Sequence, residues 1–281
     1  MFRVKPNAKV RLADYDPAWT GSVSTKEEAD QRIAENLDQL TRAQDLLWAS
    51  HKYALLMELQ GMDAAGKDGL IKHVMSGVNP QGCDVYSFKQ PTTEELDHNF
   101  LWRYSRVVPE RGKIGIFNRS YYEEVLVVRV HPELVESQHI PGVKPGPALW
   151  KQRYEDISNF EQHLSRNGTV ILKFFLNISK QEQKKRLLAR LDDPRKQWKF
   201  SAADLAERAY WAQYMKAYED ALSATSTKEA PWYIIPADHK WVARWLVSEI
   251  LAKTIQGLDL EYPKPSKEQK AAIKKAKKLL R

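Results

Sequence analysis

Gly61-Met62-Asp63-Ala64-Ala65-Gly66-Lys67-Asp68 follows a short apolar run, Tyr53 to Leu59, and precedes a helical pattern from Gly69 to Met75. Strand, glycine turn and helix in that order are what a phosphate-binding loop requires. The glycines let successive backbone N–H groups face one anion. The helix N-terminus adds a partial positive charge, and Lys67 adds a full one. The pattern G-x-x-x-x-G-K-[ST] holds through Lys67 and fails at Asp68, where a hydroxyl would normally meet Mg²⁺. Asp63, inside the loop, is the alternative metal ligand, because Mg²⁺ favours one or two carboxylates together with phosphate oxygens.

Outward from this loop the pattern alternates. Val85 to Phe88, Lys113 to Phe117, Thr169 to Leu176 and Trp232 to Ile235 read as further strands. Between them lie helical patterns: Lys26 to Ala49 behind Ser24 or Thr25 as cap, Thr92 through Arg106 behind a Thr92/Glu95 capping box, and Tyr121 to Val128. Others are a helix carrying Leu149, Arg153, Ile157, Phe160 and Leu164, one opening at a Ser179/Glu182 box, and Lys240 to Ile255. Such alternation predicts an α/β fold, a parallel sheet flanked by helices. Trp150, Tyr154 and Phe160 share helical spacing and are read as core rather than as a stacking surface for a base.

Composition sets the outer bounds. The 281 residues are 43% hydrophobic with nine tryptophans, enough for a core and incompatible with global disorder. No apolar run reaches membrane-spanning length, and the first residues lack a signal-peptide core, so a soluble, cytoplasmic protein is expected. One cysteine, Cys83, excludes an internal disulfide, and the seven histidines show no zinc-ligand spacing. Lys264 to Arg281 holds eight Lys/Arg against one acid, net +7, which leaves +1 of the total +8 for the 263 residues before it. A second cluster, Lys180 to Lys199, sets eight basic residues against three acids. Arg186 and Arg190 in it are four apart and share a helix face. Like-charge crowding of this kind is equally tolerated on a solvated helix, so charge alone does not decide between a surface face and an anion track.

GMDAAGKDG (61–69), GVNPQG (77–82), FLWRY (100–104), IFNRSYYEEVLVVRVH (116–131), ILKFFLNISKQEQ (171–183), WKF (198–200) and APWYIIPADHKWVARWLV (230–247) together resemble the family-2 polyphosphate kinases, in order and over most of the chain. The resemblance implies a phosphate-loop kinase fold similar to thymidylate kinase, with a helical lid at about 179–215. Residues 1–50 are then a leader and helix packed on a catalytic domain of 51–258, and 259–281 a basic tail. It implies Mg²⁺-dependent phosphoryl transfer, with Mn²⁺ as the alternative ion, from inorganic polyphosphate to AMP and ADP or their guanine equivalents. Tyr122-Glu123-Glu124 resembles the subgroup, called class III, that accepts both nucleoside mono- and diphosphates.

Carried over by position, the catalytic residues are Asp63, Lys67, Arg119 and Glu124, with Asp63 and Glu124 on the metal. The polyphosphate would meet Ala65, Gly66, Lys67, Asp68, Arg186, Arg190, Lys196 and Lys199. The nucleotide would meet Asn118, Arg119, Tyr122 and Glu123. Family members commonly form dimers or tetramers, so a homo-oligomer is implied, with no membrane or nucleic-acid partner. Three alternatives stand beside this reading: an enzyme restricted to one acceptor class, an ATP-dependent nucleotide kinase, and a catalytically silent polyanion-binding protein.

Overall fold

A computed structural model describes residues 2–23 and 25–281, apart from the side chains of Lys199 and Asp204. Ser24, one of the two expected caps, lies outside the described residues. Thr25 caps the first helix, its hydroxyl accepting from the Glu28 N–H.

Five strands form one parallel sheet: β1 (Ala54–Gln60), β2 (Cys83–Ser87), β3 (Ile114–Asn118), β4 (Thr169–Asn177) and β5 (Trp232–Pro236), in spatial order β2-β3-β1-β4-β5. β1 and β3 are buried along their whole length, as strands covered on both faces must be. The longer helices are α1 (Lys26–Ser50), α2 (Lys67–Val74), α3 (Pro147–Arg166), α4 (Lys180–Asp192), α5 (Trp211–Thr225), α6 (Lys240–Gln256) and α7 (Lys267–Leu279). α1 packs along α6, which also meets α2 and β5, whereas α3 packs on β4 and α5. Trp150 lies in a separate small cluster with Leu149, Val128 and Val135. Tyr154 packs against both clusters, its hydroxyl accepting from Arg129, and Phe160 packs edge-on to Tyr121.

The structure departs from the sequence reading in four places. The Thr92/Glu95 capping box forms, but its helix covers only Thr93–Leu96. Asn99 starts a new turn by accepting the Leu101 N–H, and a second helix covers Trp102–Ser105. Tyr121–Val125 is a 3₁₀ helix, followed by a separate turn of α-helix at Val127–Val130. At α4 only half the expected box exists. Ser179 caps the Glu182 N–H, but the Glu182 carboxylate takes Arg186 instead, and the Ser179 N–H goes to Asp238. Finally, the N-terminal segment is more than a leader. Val4 N–H donates to Trp232 O and Ile234 N–H to Phe2 O, so the segment runs antiparallel along β5 and covers that sheet edge.

Under the sheet lies a polar cluster with no access to solvent. Glu58 on β1 is in register with Lys173 on β4. Lys173 Nζ donates to Glu161 Oε2 (2.6 Å), Tyr122 Oη (2.9 Å) and Thr225 O (2.8 Å), which satisfies all three of its hydrogens. Glu161 Oε1 also accepts from both Tyr121 and Tyr122, and Tyr121 bonds Glu58. Burial first, and the neighbouring Glu161 second, push the Glu58 carboxyl up to about 8. Glu58 therefore favours its neutral form, and the ion pair of the cluster is Lys173 with Glu161.

Candidate active site

Because every strand runs the same way, the segments following β1, β3, β4 and β5 emerge at one end of the sheet, the usual location of ligand sites in such folds. They enclose a groove of about 840 Å³. The loop 61–66 leads into α2, with Gly66 at φ +108° as the helix N-cap. That backbone setting suits glycine, and a Cβ there would stand 3.5 Å from the Arg186 guanidinium. Lys67 is folded back over the loop, its ammonium donating to Gly61 O at 2.6 Å and Met62 O at 3.4 Å.

Burial, and secondarily the positive charge of Arg119, lower the Lys67 ammonium to about 8, although Asp63 pulls it the other way. It is charged below that value and loses its proton as pH rises through it. The KM for a phosphate donor should therefore worsen above about pH 8, with a bound phosphate holding the proton longer in the complex than in the free enzyme. A Lys67→Arg variant, if active, should flatten this limb, since a guanidinium stays charged. A steady-state KM series against pH with both proteins checks it, and identical profiles would exclude Lys67 as the titrating group.

Arg119 follows β3 directly, with a left-handed backbone (φ +65°) that is uncommon outside glycine and typical of positions held for function. One guanidinium nitrogen donates to Asp63 Oδ1 at 2.6 Å and the other to Glu123 Oε2 at 3.0 Å. Glu123 first, and Asp63 with it, hold Arg119 strongly in its charged form. Asn118 closes the end of β3, donating to Asp68 Oδ1 at 2.9 Å. The carboxylate standing where a hydroxyl would meet Mg²⁺ is thus tied to the neighbouring strand end.

The lid-side residues divide. Arg186 lines the groove, yet its guanidinium is spent on carbonyls: Ala65 O (2.8 Å), Ala64 O (3.2 Å), Ala237 O (2.6 Å) and Asp238 O (2.9 Å), with Glu182 on its Nε. It is a strut joining the loop to the segment after β5. Arg190 and Lys196 also line the groove, Lys196 being paired with Asp193 at 2.7 Å. Lys199 lies in a short 3₁₀ turn, and its side chain is outside the described residues.

Two expected site residues are elsewhere. Tyr122 is fully buried in the cluster beneath the sheet and does not line the groove. Glu124 is buried as well, accepting from Arg153 at 3.2 Å and Gln138 at 2.7 Å, and it does not line the groove. The cause is the 3₁₀ geometry: with three residues per turn, Tyr122, Glu123 and Glu124 point in three directions. Only Glu123 points at Arg119.

Three cations not singled out from the sequence complete the groove: Lys89 beyond β2, and Lys240 and Arg244 on α6. Lys240 and Arg244 are four apart at the start of the helix, the spacing already used for Arg186 and Arg190, and were readable by the same rule. Burial and the adjoining Arg186 and Arg244 lower the Lys240 ammonium. Among the described residues, eight cationic residues line the groove against two acids, Asp63 and Asp68. Such an excess inside a cleft is the electrostatic complement of a polyanion.

A phosphate loop at the end of a parallel β2-β3-β1-β4-β5 sheet, faced by a cationic cleft, defines a phosphoryl-transferring kinase. Residues 23–263 match the family described as Polyphosphate kinase 2 (PPK2), and the chain belongs to that family; it is a polyphosphate:nucleotide phosphotransferase. It is 53% identical over 263 residues to the ADP-polyphosphate phosphotransferase of Rhodopseudomonas palustris, covering 93% of this chain and 91% of the relative. It is 46% identical to the AMP/ADP-polyphosphate phosphotransferase of Meiothermus ruber, covering 94% and 95%. The crystal structure of polyphosphate kinase 2 from Arthrobacter aurescens TC1 superposes with a TM-score of 0.88 at 42% identity, covering 98% of this chain and 95% of that one.

Proposed function

We propose that this chain transfers the terminal phosphoryl group of polyphosphate reversibly to both nucleoside mono- and diphosphates, AMP to ADP and ADP to ATP, at the loop 61–68. The observation that carries this is the cationic groove, whose charges come from the loop, α4 and α6 together, an extended arrangement that suits a donor of many equal anionic units. The acceptor oxygen of a nucleotide phosphate is already anionic, so no general base is needed, and positioning and charge neutralisation do the work. The loop amides and Lys67 hold phosphate oxygens near the reacting bond. Arg119, placed by Asp63 and Glu123, presents a planar fork that can span oxygens of donor and acceptor.

The residues present also fit Mg²⁺, or Mn²⁺ in its place. Among the described residues no three His, Cys, Asp or Glu converge, so the protein offers one or two carboxylates, Asp63 with Glu123 beside it. That is the donor set Mg²⁺ takes when phosphates complete its shell. When bound, the ion neutralises charge on the transferring group. Glu124 has no part in this, being committed to Arg153.

The acceptor range is tested with Mg²⁺ and polyphosphate, AMP and ADP in separate reactions, and products resolved by anion exchange. We expect ATP from ADP, and ADP followed by ATP from AMP. ATP from ADP with no turnover of AMP would leave an enzyme restricted to diphosphates. Turnover with ATP but not polyphosphate as donor would overturn the reading.

A further inference from the structure

The helix α7 belongs to none of the machinery above. It is capped at Ser266 by a complete box with Gln269, yet not one of its residues is buried. A 13-residue helix with no packing is marginal in water. This one carries an added burden: Lys267, Lys270, Lys274, Lys277 and Lys278 repeat at three- and four-residue steps and line one face, where like charges repel. The opposite face holds Ala272, Ile273, Ala276 and Leu279. Such a helix gains stability from whatever neutralises its cationic row.

We propose that α7 is a second polyphosphate-binding element, holding the donor chain outside the groove while its end reacts within. The inference rests on polyphosphate being the donor. Charge complementarity selects this occupant. The segment from Lys264 carries net +7 while the rest of the chain is nearly neutral, and its row of point charges suits a uniform polyanion. The apolar face argues against a lipid surface: it offers two alanines, one isoleucine and one leucine, little for insertion into an interface. Two sites on one polymer raise its apparent affinity through effective concentration, but only for chains long enough to reach both.

The test uses the full chain with Lys270, Lys274, Lys277 and Lys278 changed together to Gln. These residues are exposed and remote in sequence from the loop, so the body of the fold is untouched. With long-chain polyphosphate as donor, KM should rise at least about tenfold at unchanged kcat, and its salt dependence should become shallower. With a short linear polyphosphate that fills the groove alone, KM should stay within about twofold, because no bridging is lost. Far-ultraviolet dichroism should show helix gained on adding long polyphosphate to the parent and not to the variant. Equal KM changes for both donors, or none for the long one, would overturn the proposal. So would RNA or phosphatidylglycerol vesicles displacing long polyphosphate from α7 at lower concentration than polyphosphate itself. Direct binding of long polyphosphate, compared between Lys67→Ala chains with and without the four substitutions, keeps this result separate from turnover. If the parent enzyme fails to use polyphosphate, the donor assignment falls, while the binding comparison still reports on α7.

Discussion

Lys67→Ala should lower turnover by about 10³-fold while the protein stays folded. The ammonium sits over the loop with two carbonyl partners, Gly61 and Met62, and a charge desolvated by its surroundings. A preorganised cation contributes most to transition-state stabilisation in a site that excludes water. Alanine removes the charge and leaves a cavity into which water can enter, but it breaks no tertiary contact beyond the loop. The check is a single-turnover measurement with Mg²⁺, polyphosphate and ADP, alongside thermal unfolding. A variant within about tenfold of the parent would assign the electrostatic role to another cation of the groove.

The second large effect concerns stability. Lys173→Met should destabilise the protein by about 3–5 kcal/mol, because it leaves Glu161 buried without its cation. Two tyrosine hydroxyls still donate to Glu161, but no charge remains to balance it. Lys173 also lies over the rings of Tyr122 and Trp232, at 5.2 and 5.3 Å, so methionine recovers part of the packing and none of the cation–π attraction. Adding Glu161→Leu should restore most of the loss, since a buried pair replaced on both sides by apolar groups is often nearly neutral. Denaturant midpoints for the two single variants and the double variant decide it. A double variant no better than Lys173→Met would mean that the tyrosine bonds to Glu161, and not the charge pair, hold this part of the core.

The five strands were readable to within one or two residues, because each is a short apolar run bounded by turn chemistry. Lys113 to Phe117 becomes Ile114–Asn118, and Thr169 to Leu176 becomes Thr169–Asn177. The loop was readable because glycine and lysine have few other reasons to stand between a strand and a helix. Side-chain direction was not. Adjacent letters at Tyr122, Glu123 and Glu124 gave no sign that a 3₁₀ turn would send one to the core, one to Arg119 and one to Arg153. Competition for partners was equally hidden. Glu182 had the right spacing to box Ser179, but Arg186, four residues on, takes its carboxylate. Glu58 and Lys173 lie inside apolar strands, and only the register of β1 against β4 explains why they are tolerated there.

The strut at Arg186 has a consequence for the order in which the chain acquires its site. The guanidinium joins Ala64 and Ala65 to Ala237 and Asp238, partners 122, 121, 51 and 52 residues away along the sequence. Contacts so far apart form late, since loop closure must be met before they are rewarded. A chain still emerging from the ribosome has made the residues of β1, α2 and the glycine turn before either β3 and β4, the sheet partners of β1, or the brace that sets their position. The phosphate loop is made before the segment that braces it, so the contacts that hold it are complete only once the chain after β5 has been added.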